Sequence, residues 1–128
     1  MNKVFIFLCL IMFSPTFGQE NYSNQSTSFC GGRWEIFMSE LGAKVSFKFD
    51  KYTGNIYQMV RAEDKSLTWQ PMKKEESIKD IQKPDIINYQ LFSSGLGIKY
   101  TFILNTNTGL VWQLVHDDNE VLSFQIMN

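Results

Sequence analysis

One histidine, His116, and two cysteines, Cys9 and Cys30, are all the imidazole and thiol chemistry in this chain. His116 adjoins Asp117 and Asp118, and a histidine with a carboxylate partner can act as an oriented base once a nucleophile is delivered to it. No G-x-S-x-G elbow delivers one. Residues adjacent in a charged turn more commonly form a solvated surface. Asp50 with Asp117 and Asp118 would make a carboxylate pair for acid–base work only if the fold joined them. Asp50, however, opens an Asp-Lys-Tyr-Thr-Gly turn, where its carboxylate has the separate task of capping backbone amides. The lone histidine and two cysteines do not make a His/Cys metal site, and neither a P-loop nor a dinucleotide fingerprint is present. The sequence therefore predicts a non-enzyme with no catalytic residue, no metal and no cofactor.

Composition narrows the classes that remain. The 128 residues carry 12 Lys+Arg against 13 Asp+Glu, a net charge of -1, and 44% of them are hydrophobic. That balance excludes a basic nucleic-acid binder and a disordered chain. Lys3, the apolar run Val4–Phe13, the Ser14-Pro15 break and Thr16-Phe17-Gly18 read as a signal peptide over residues 1–18. Ten apolar residues span about 15 Å as a helix, roughly half a bilayer core, so an anchor is disfavoured. The expected address is exported, periplasmic or secreted, with no membrane span after signal removal. Residues 19–128 keep 11 basic and 13 acidic side chains and one cysteine, so no internal disulfide forms. Cys30 is expected to be a partly buried small hydrophobe, an intermolecular bridge being the alternative. Residues 19–32 read as a flexible lead-in. Its sequons at Asn21 and Asn24 matter only in a eukaryotic secretory route.

The elements that must position any site come in duplicate. Arg33–Met72 and Asn88–Met127 align without a gap at an offset of 55 residues, with 13 of 40 positions identical. Each copy shows period-2 alternation, the mark of strands. The expected strands are Trp34–Met38, a stretch through Val45–Phe49, Asn55–Val60 and Ser66–Gln70, with their equivalents in copy two. Asp50–Gly54 and Asn105–Gly109 form matched turns, the Asp or Asn capping amides and the Gly supplying positive φ. Charged turns at 61–65 and 116–120 join the third and fourth strands. One alternating face is expected to gather Trp34, Ile36, Phe47, Phe49, Tyr57, Met59, Leu67 and Trp69. On that reading Phe47/Phe102, Tyr57/Trp112 and Trp69/Phe124 are buried at equivalent positions. Gln58/Gln113 and Gln70/Gln125 fall on the opposite face and read as cross-strand pairs, or alternatively as a polar stripe for sugar or peptide.

The expected architecture is all-β: a single domain over 33–128, with repeats 33–72 and 88–127 and a linker at 73–87. The linker's Lys73–Lys83 portion is highly charged and allows one short exposed helix before Pro84. Two four-stranded antiparallel meanders would form an eight-stranded barrel or sandwich. The F-x-[FL]-[DN]-x-x-T-G-x-[IV]-[WY] segment at Phe47–Tyr57 and Phe102–Trp112 resembles the blade repeat of quinoprotein-like propellers, which would require oligomerisation. The duplicated pattern is also similar to small exported bacterial proteins of uncharacterised role. Ser94-Gly-Leu-Gly-Ile-Lys99-Tyr100 resembles a loop of periplasmic C-type lysozyme inhibitors. That resemblance implies that Ser94 and Lys99 enter the cleft of a lysozyme.

The functional expectation is an exported, non-catalytic binding protein, an inhibitor or immunity-type factor whose partner is another protein. A carbohydrate- or peptidoglycan-binding module is the alternative, and a small hydrolase a third. A duplication keeps scaffold positions alike and frees its turns, so specificity is expected where the copies differ. Those places are Glu40 against Gly95, Lys51-Tyr52 against Thr106-Asn107, and the turns at 61–65 and 116–120. Candidate binding residues are therefore Glu40, Arg61, Ser94, Lys99, His116 and Asp117, on a rim at one end of the meanders.

Overall fold

The structure is a computed structural model describing residues 25–39 and 41–128. The expected signal peptide, the sequon asparagines and Glu40 lie outside the described residues. Among the described residues nine strands form: β1 (Gln25–Ser26), β2 (Trp34–Phe37), β3 (Phe47–Asp50), β4 (Ile56–Arg61), β5 (Leu67–Pro71), β6 (Tyr89–Ser93), β7 (Thr101–Asn105), β8 (Val111–His116) and β9 (Leu122–Ile126). Copy one is a four-stranded antiparallel sheet, β2-β3-β4-β5, and copy two a five-stranded one, β1-β6-β7-β8-β9. The two sheets stay separate and face one another as a sandwich, so the barrel alternative is set aside. No helix among the described residues is long and apolar enough to cross a membrane.

The duplicated turns fold alike because their chemistry is alike. Asp50 Oδ1 accepts the Tyr52 N–H at 3.0 Å, and Asn105 Oδ1 accepts the Asn107 N–H at 2.9 Å. Gly54 and Gly109 close these turns at φ 72° and 76°, a region where a Cβ is strained. A short 3-10 turn precedes the second strand of each copy, at Ala43–Val45 and Ile98–Tyr100. Gln58 Nε2 donates to the Lys44 carbonyl at 2.8 Å and Gln113 Nε2 to the Lys99 carbonyl at 2.7 Å, pinning both turns. Gln58 sits opposite Gln70 and Gln113 opposite Gln125, the expected cross-strand pairs.

The core corrects the expected face. Phe47 pairs with Gln58 and Phe49 with Ile56, so Tyr57 points to the other side of the sheet, as Lys48, its own partner, does. Trp34, Ile36, Tyr57, Met59, Leu67 and Trp69 thus form the outer face of copy one, and Phe47 and Phe49 belong to the inner one. Gln58 shares the inner face with Phe47 rather than opposing the core. In copy two the equivalent faces are reversed. Tyr89, Leu91, Ile103, Trp112, Leu114 and Phe124 point inward and are fully buried against Phe37, Phe47, Phe49 and Ile56 of copy one. Phe47 meets Phe124 edge-on, ring centroids 6.2 Å apart. Of each expected pair only one member is buried: Phe47, Trp112 and Phe124, with Phe102, Tyr57 and Trp69 half-buried. Burying one such aromatic side chain stabilises by about 2–3 kcal/mol.

Lead-in and linker are more structured than their composition suggests. Strand β1 pairs with β6, and Thr27 N–H donates to the Leu91 carbonyl while Thr27 Oγ1 accepts the Leu91 N–H. The linker makes no helix. It runs parallel to β9, with Phe124 N–H donating to the Lys73 carbonyl and Glu75 N–H to the Phe124 carbonyl. The Trp112 indole N–H donates to the Glu75 carbonyl at 2.8 Å. Cys30 is exposed rather than partly buried, its Sγ 3.3 Å from Ser28 Oγ.

Candidate functional site

Arg61 closes β4 and His116 closes β8, the same position in the two copies. Register turns them in opposite directions. Arg61 is opposite Leu67 on the outer face of copy one, and His116 is opposite Leu122 on the inner face of copy two. Both nevertheless line one crevice between the copies, of about 510 Å³. Val60 and Leu67 of copy one and Ile98, Val121 and Leu122 of copy two give it an apolar lining. Lys44, Arg61, His116 and Glu120 supply its charge or imidazole character. The matched hairpins place these groups: Ala62 N–H bonds the Ser66 carbonyl, and Asp117 N–H the Val121 carbonyl. Lys65 and Glu120, at φ 68° and 59°, occupy equivalent left-handed positions in them.

The remaining candidates are placed differently. Asp117 Oδ1 accepts the Asn119 and Val121 N–H groups, both at 2.9 Å, so its carboxylate caps its own turn. Ser94 Oγ accepts the Leu96 N–H, as Ser39 Oγ accepts that of Leu41, a duplicated turn bond. Ser94 borders a shallow concavity beside Phe92, Tyr100 and Phe102 on the outer face of copy two. Lys99 is exposed, its Nζ 5.0 Å from the Tyr100 ring centroid. Ile98, beside it in sequence, lines the crevice, whereas Tyr100 lines the concavity with Ser94, so the Lys99 ammonium lies on that side.

No protein-family model, curated protein or solved structure matches this chain.

Several of the groups able to do chemistry are engaged in holding the fold. Asp50 receives Arg33 in a fork, Nε at 3.0 Å and Nη2 at 2.7 Å. Burial alone would raise the Asp50 pKa, but Arg33, the Thr53 hydroxyl and the Tyr52 N–H hold it below the usual carboxylate range. Lys51, whose difference from Thr106 suggested specificity, is buried. Its ammonium donates to Glu35 Oε2 at 3.1 Å and to the Ser28 and Cys30 carbonyls at 3.2 Å. Among the described residues no cluster of three His, Cys, Asp or Glu side chains is close enough to share a metal ion.

A second polar cluster was not legible in the sequence, because its centre, Asp80, lies in the linker. Asp80 accepts the Tyr89 hydroxyl at 2.5 Å, Asn105 Nδ2 at 2.7 Å and Lys74 Nζ at 2.9 Å. Burial pushes Asp80 up, and these three donors more than reverse it, leaving the carboxyl below its ordinary value. Tyr89 is pushed well above its ordinary value by burial first and by the adjacent carboxylate second. The cluster ties the linker to copy two rather than presenting a reactive group. Lys44 and Ile98 of the crevice were equally hard to foresee, since only three-dimensional packing brings two separate 3-10 turns to one opening.

Proposed function

We propose that this chain is an exported, non-catalytic binding protein that recognises another protein through the crevice between its two copies. The observation that carries this reading is the division of labour among its polar groups. Asp50, Asp80 and Asp117 serve turns and ion pairs, while an apolar crevice bordered by Lys44, Arg61, His116 and Glu120 stays open. A volume of about 510 Å³ is within the usual range for a recognition pocket. It accommodates an apolar side chain from a partner segment, with an acidic neighbour meeting Lys44 or Arg61. An inhibitor or immunity-type factor is the kind of protein that works by such rigid, turnover-free recognition.

The test is a pull-down from envelope and culture fluid with the purified chain and with an Arg61→Glu/His116→Glu variant. A stoichiometric protein partner retained by the first and lost by the folded second is expected. Equal retention by both removes the crevice from the reading.

A carbohydrate module is favoured by one specific observation: exposed Trp34 and half-buried Tyr57 stand side by side on the outer face of copy one, ring centroids 6.2 Å apart. Glycan-array binding lost on Trp34→Ala, without any protein partner, would favour that reading instead.

A further inference from the structure

The two copies do not pack as mirror partners. The inner surface of copy one is the Phe37, Phe47, Phe49, Ile56 face of the repeat. The inner surface of copy two is the opposite face of the repeat: Tyr89, Leu91, Ile103, Trp112, Leu114 and Phe124. The sandwich is therefore joined head to tail, and each copy leaves uncovered the face that the other one buries. On copy one Trp34, Ile36 and Leu67 are 48%, 58% and 60% exposed, where their equivalents Tyr89, Leu91 and Leu122 are 0%, 0% and 8%. On copy two Phe92, Phe102, Leu104 and Val111 are half-buried, where Phe37, Phe47, Phe49 and Ile56 are buried.

We propose that these two uncovered faces bind each other between chains, so that the protein assembles head to tail into a closed ring of β sheets. The occupant of the copy-one face is the copy-two face of another molecule, because the same pairing already exists inside the chain. Heterologous contacts of this kind close into rings when the rotation per unit permits. Rings of stacked four-stranded sheets hold roughly four to eight of them, which here means about two to four chains. In such a ring the next chain's Trp69 comes against Phe102, as Phe124 comes against Phe47 at 6.2 Å. Its Trp34 comes over Gly109, as Tyr89 comes over Gly54. A Cβ at Gly54 would stand 3.1 Å from the Tyr89 ring, while at Gly109 nothing lies within 4 Å of that point.

Lys48 replaces Ile103 in the middle of the copy-one face, and its burial needs a partner. It has one. Lys48 Nζ stands 5.5 Å from the Trp34 ring centroid and 4.6 Å from that of Tyr57. The internal interface covers the same arrangement: Lys74 Nζ stands 4.6 Å from Tyr89 and 4.1 Å from Trp112, the equivalents of those two rings. An ammonium held over an aromatic pair gains attraction that grows as water is removed. The copy-one face shares Leu67 and Arg61 with the crevice, but Trp34 and Ile36 lie outside it, and the inference does not depend on the partner proposed there.

The test measures mass by analytical ultracentrifugation for the wild-type chain, for Trp34→Glu/Leu67→Lys and for Phe102→Glu/Leu104→Lys. Expected are an assembly of two to four chains for wild type and single chains for each variant. An equimolar mixture of the two variants should give one-to-one pairs, since each retains the face the other lacks. Wild type remaining a single chain at high micromolar concentration overturns the proposal, and so does either variant persisting alone as a dimer, which marks a two-fold contact. Should a variant fail to fold, hydroxyl-radical footprinting of wild type decides the matter. Protection of Trp34, Trp69 and Phe102 is expected, and full labelling of all three overturns the ring.

Discussion

The Tyr89 hydroxyl donates to Asp80 Oδ1 across 2.5 Å, joining the linker to the first strand of copy two. Asn105 and Lys74 converge on the same carboxylate, so its removal strands three donors at once. Asp80→Ala should destabilise the fold by about 2–4 kcal/mol, since unsatisfied buried groups bear their full desolvation cost. Tyr89→Phe should cost less, about 1–2 kcal/mol, because Asp80 keeps its other two partners. Urea denaturation of both variants and of the double variant checks the pair. The double variant should fall short of the sum, as members of one network couple.

The same cluster sets a pH window. Asp80 and Asp50 have lowered folded-state values, so their contribution is present above the unfolded value, about 4. It is lost as pH falls through the still lower folded values. Tyr89 is raised in the fold, so its contribution holds below about 10, where tyrosine in the unfolded chain begins to ionise, and is lost as pH climbs through the folded value. Melting temperature against pH should therefore fall on both sides. Asp80→Asn should flatten the acid limb, and an unchanged acid limb would assign that loss to other carboxylates.

Gly54 and Gly109 separate backbone strain from packing. Both sit at positive φ, so an added Cβ costs about 1–2 kcal/mol in either turn. Only at Gly54 does it also meet Lys74 Nζ and the Tyr89 ring at 3.1 Å. Gly54→Ala should lower the unfolding free energy by more than Gly109→Ala in the isolated chain. Equal losses would mean that the linker yields freely around residue 54.

The strands were legible because three signals agreed: alternation, the Asp/Asn-x-x-Thr-Gly turns and the repeat itself. What alternation does not carry is which face turns inward when both faces are apolar. Tyr57 and Phe47 read as companions, yet pairing of Phe47 with Gln58 puts them on opposite sides. That register is a relation between strands and leaves no mark within either one. The charged linker read as solvent-facing because composition averages over side chains. Lys74 and Asp80 satisfy each other at 2.9 Å and can be covered. Of the expected rim, Arg61 and His116 meet at the crevice, since strand ends of equal rank come to one end of a meander. Ser94 and Asp117 resolve into turn bonds, a role the repeat already hinted at through Ser39.

The crevice makes the last prediction. Arg61 and His116 close equivalent strands of different copies, so a partner in the crevice must contact both halves at once. Glu in place of either residue should weaken binding by roughly tenfold or more, with little loss of melting temperature because both are exposed. Association should also slow as salt rises, since exposed charges act through a screened field. Lys99→Glu and Ser94→Ala separate this from a loop-insertion mode. Neither Lys99 nor Ser94 lines the crevice, so crevice binding predicts little or no loss for Lys99→Glu and none for Ser94→Ala. A partner that tolerates Glu at positions 61 and 116 but is lost with Ser94→Ala and Lys99→Glu binds through the 94–100 hairpin instead. Titration calorimetry of the four folded variants against one partner distinguishes the two.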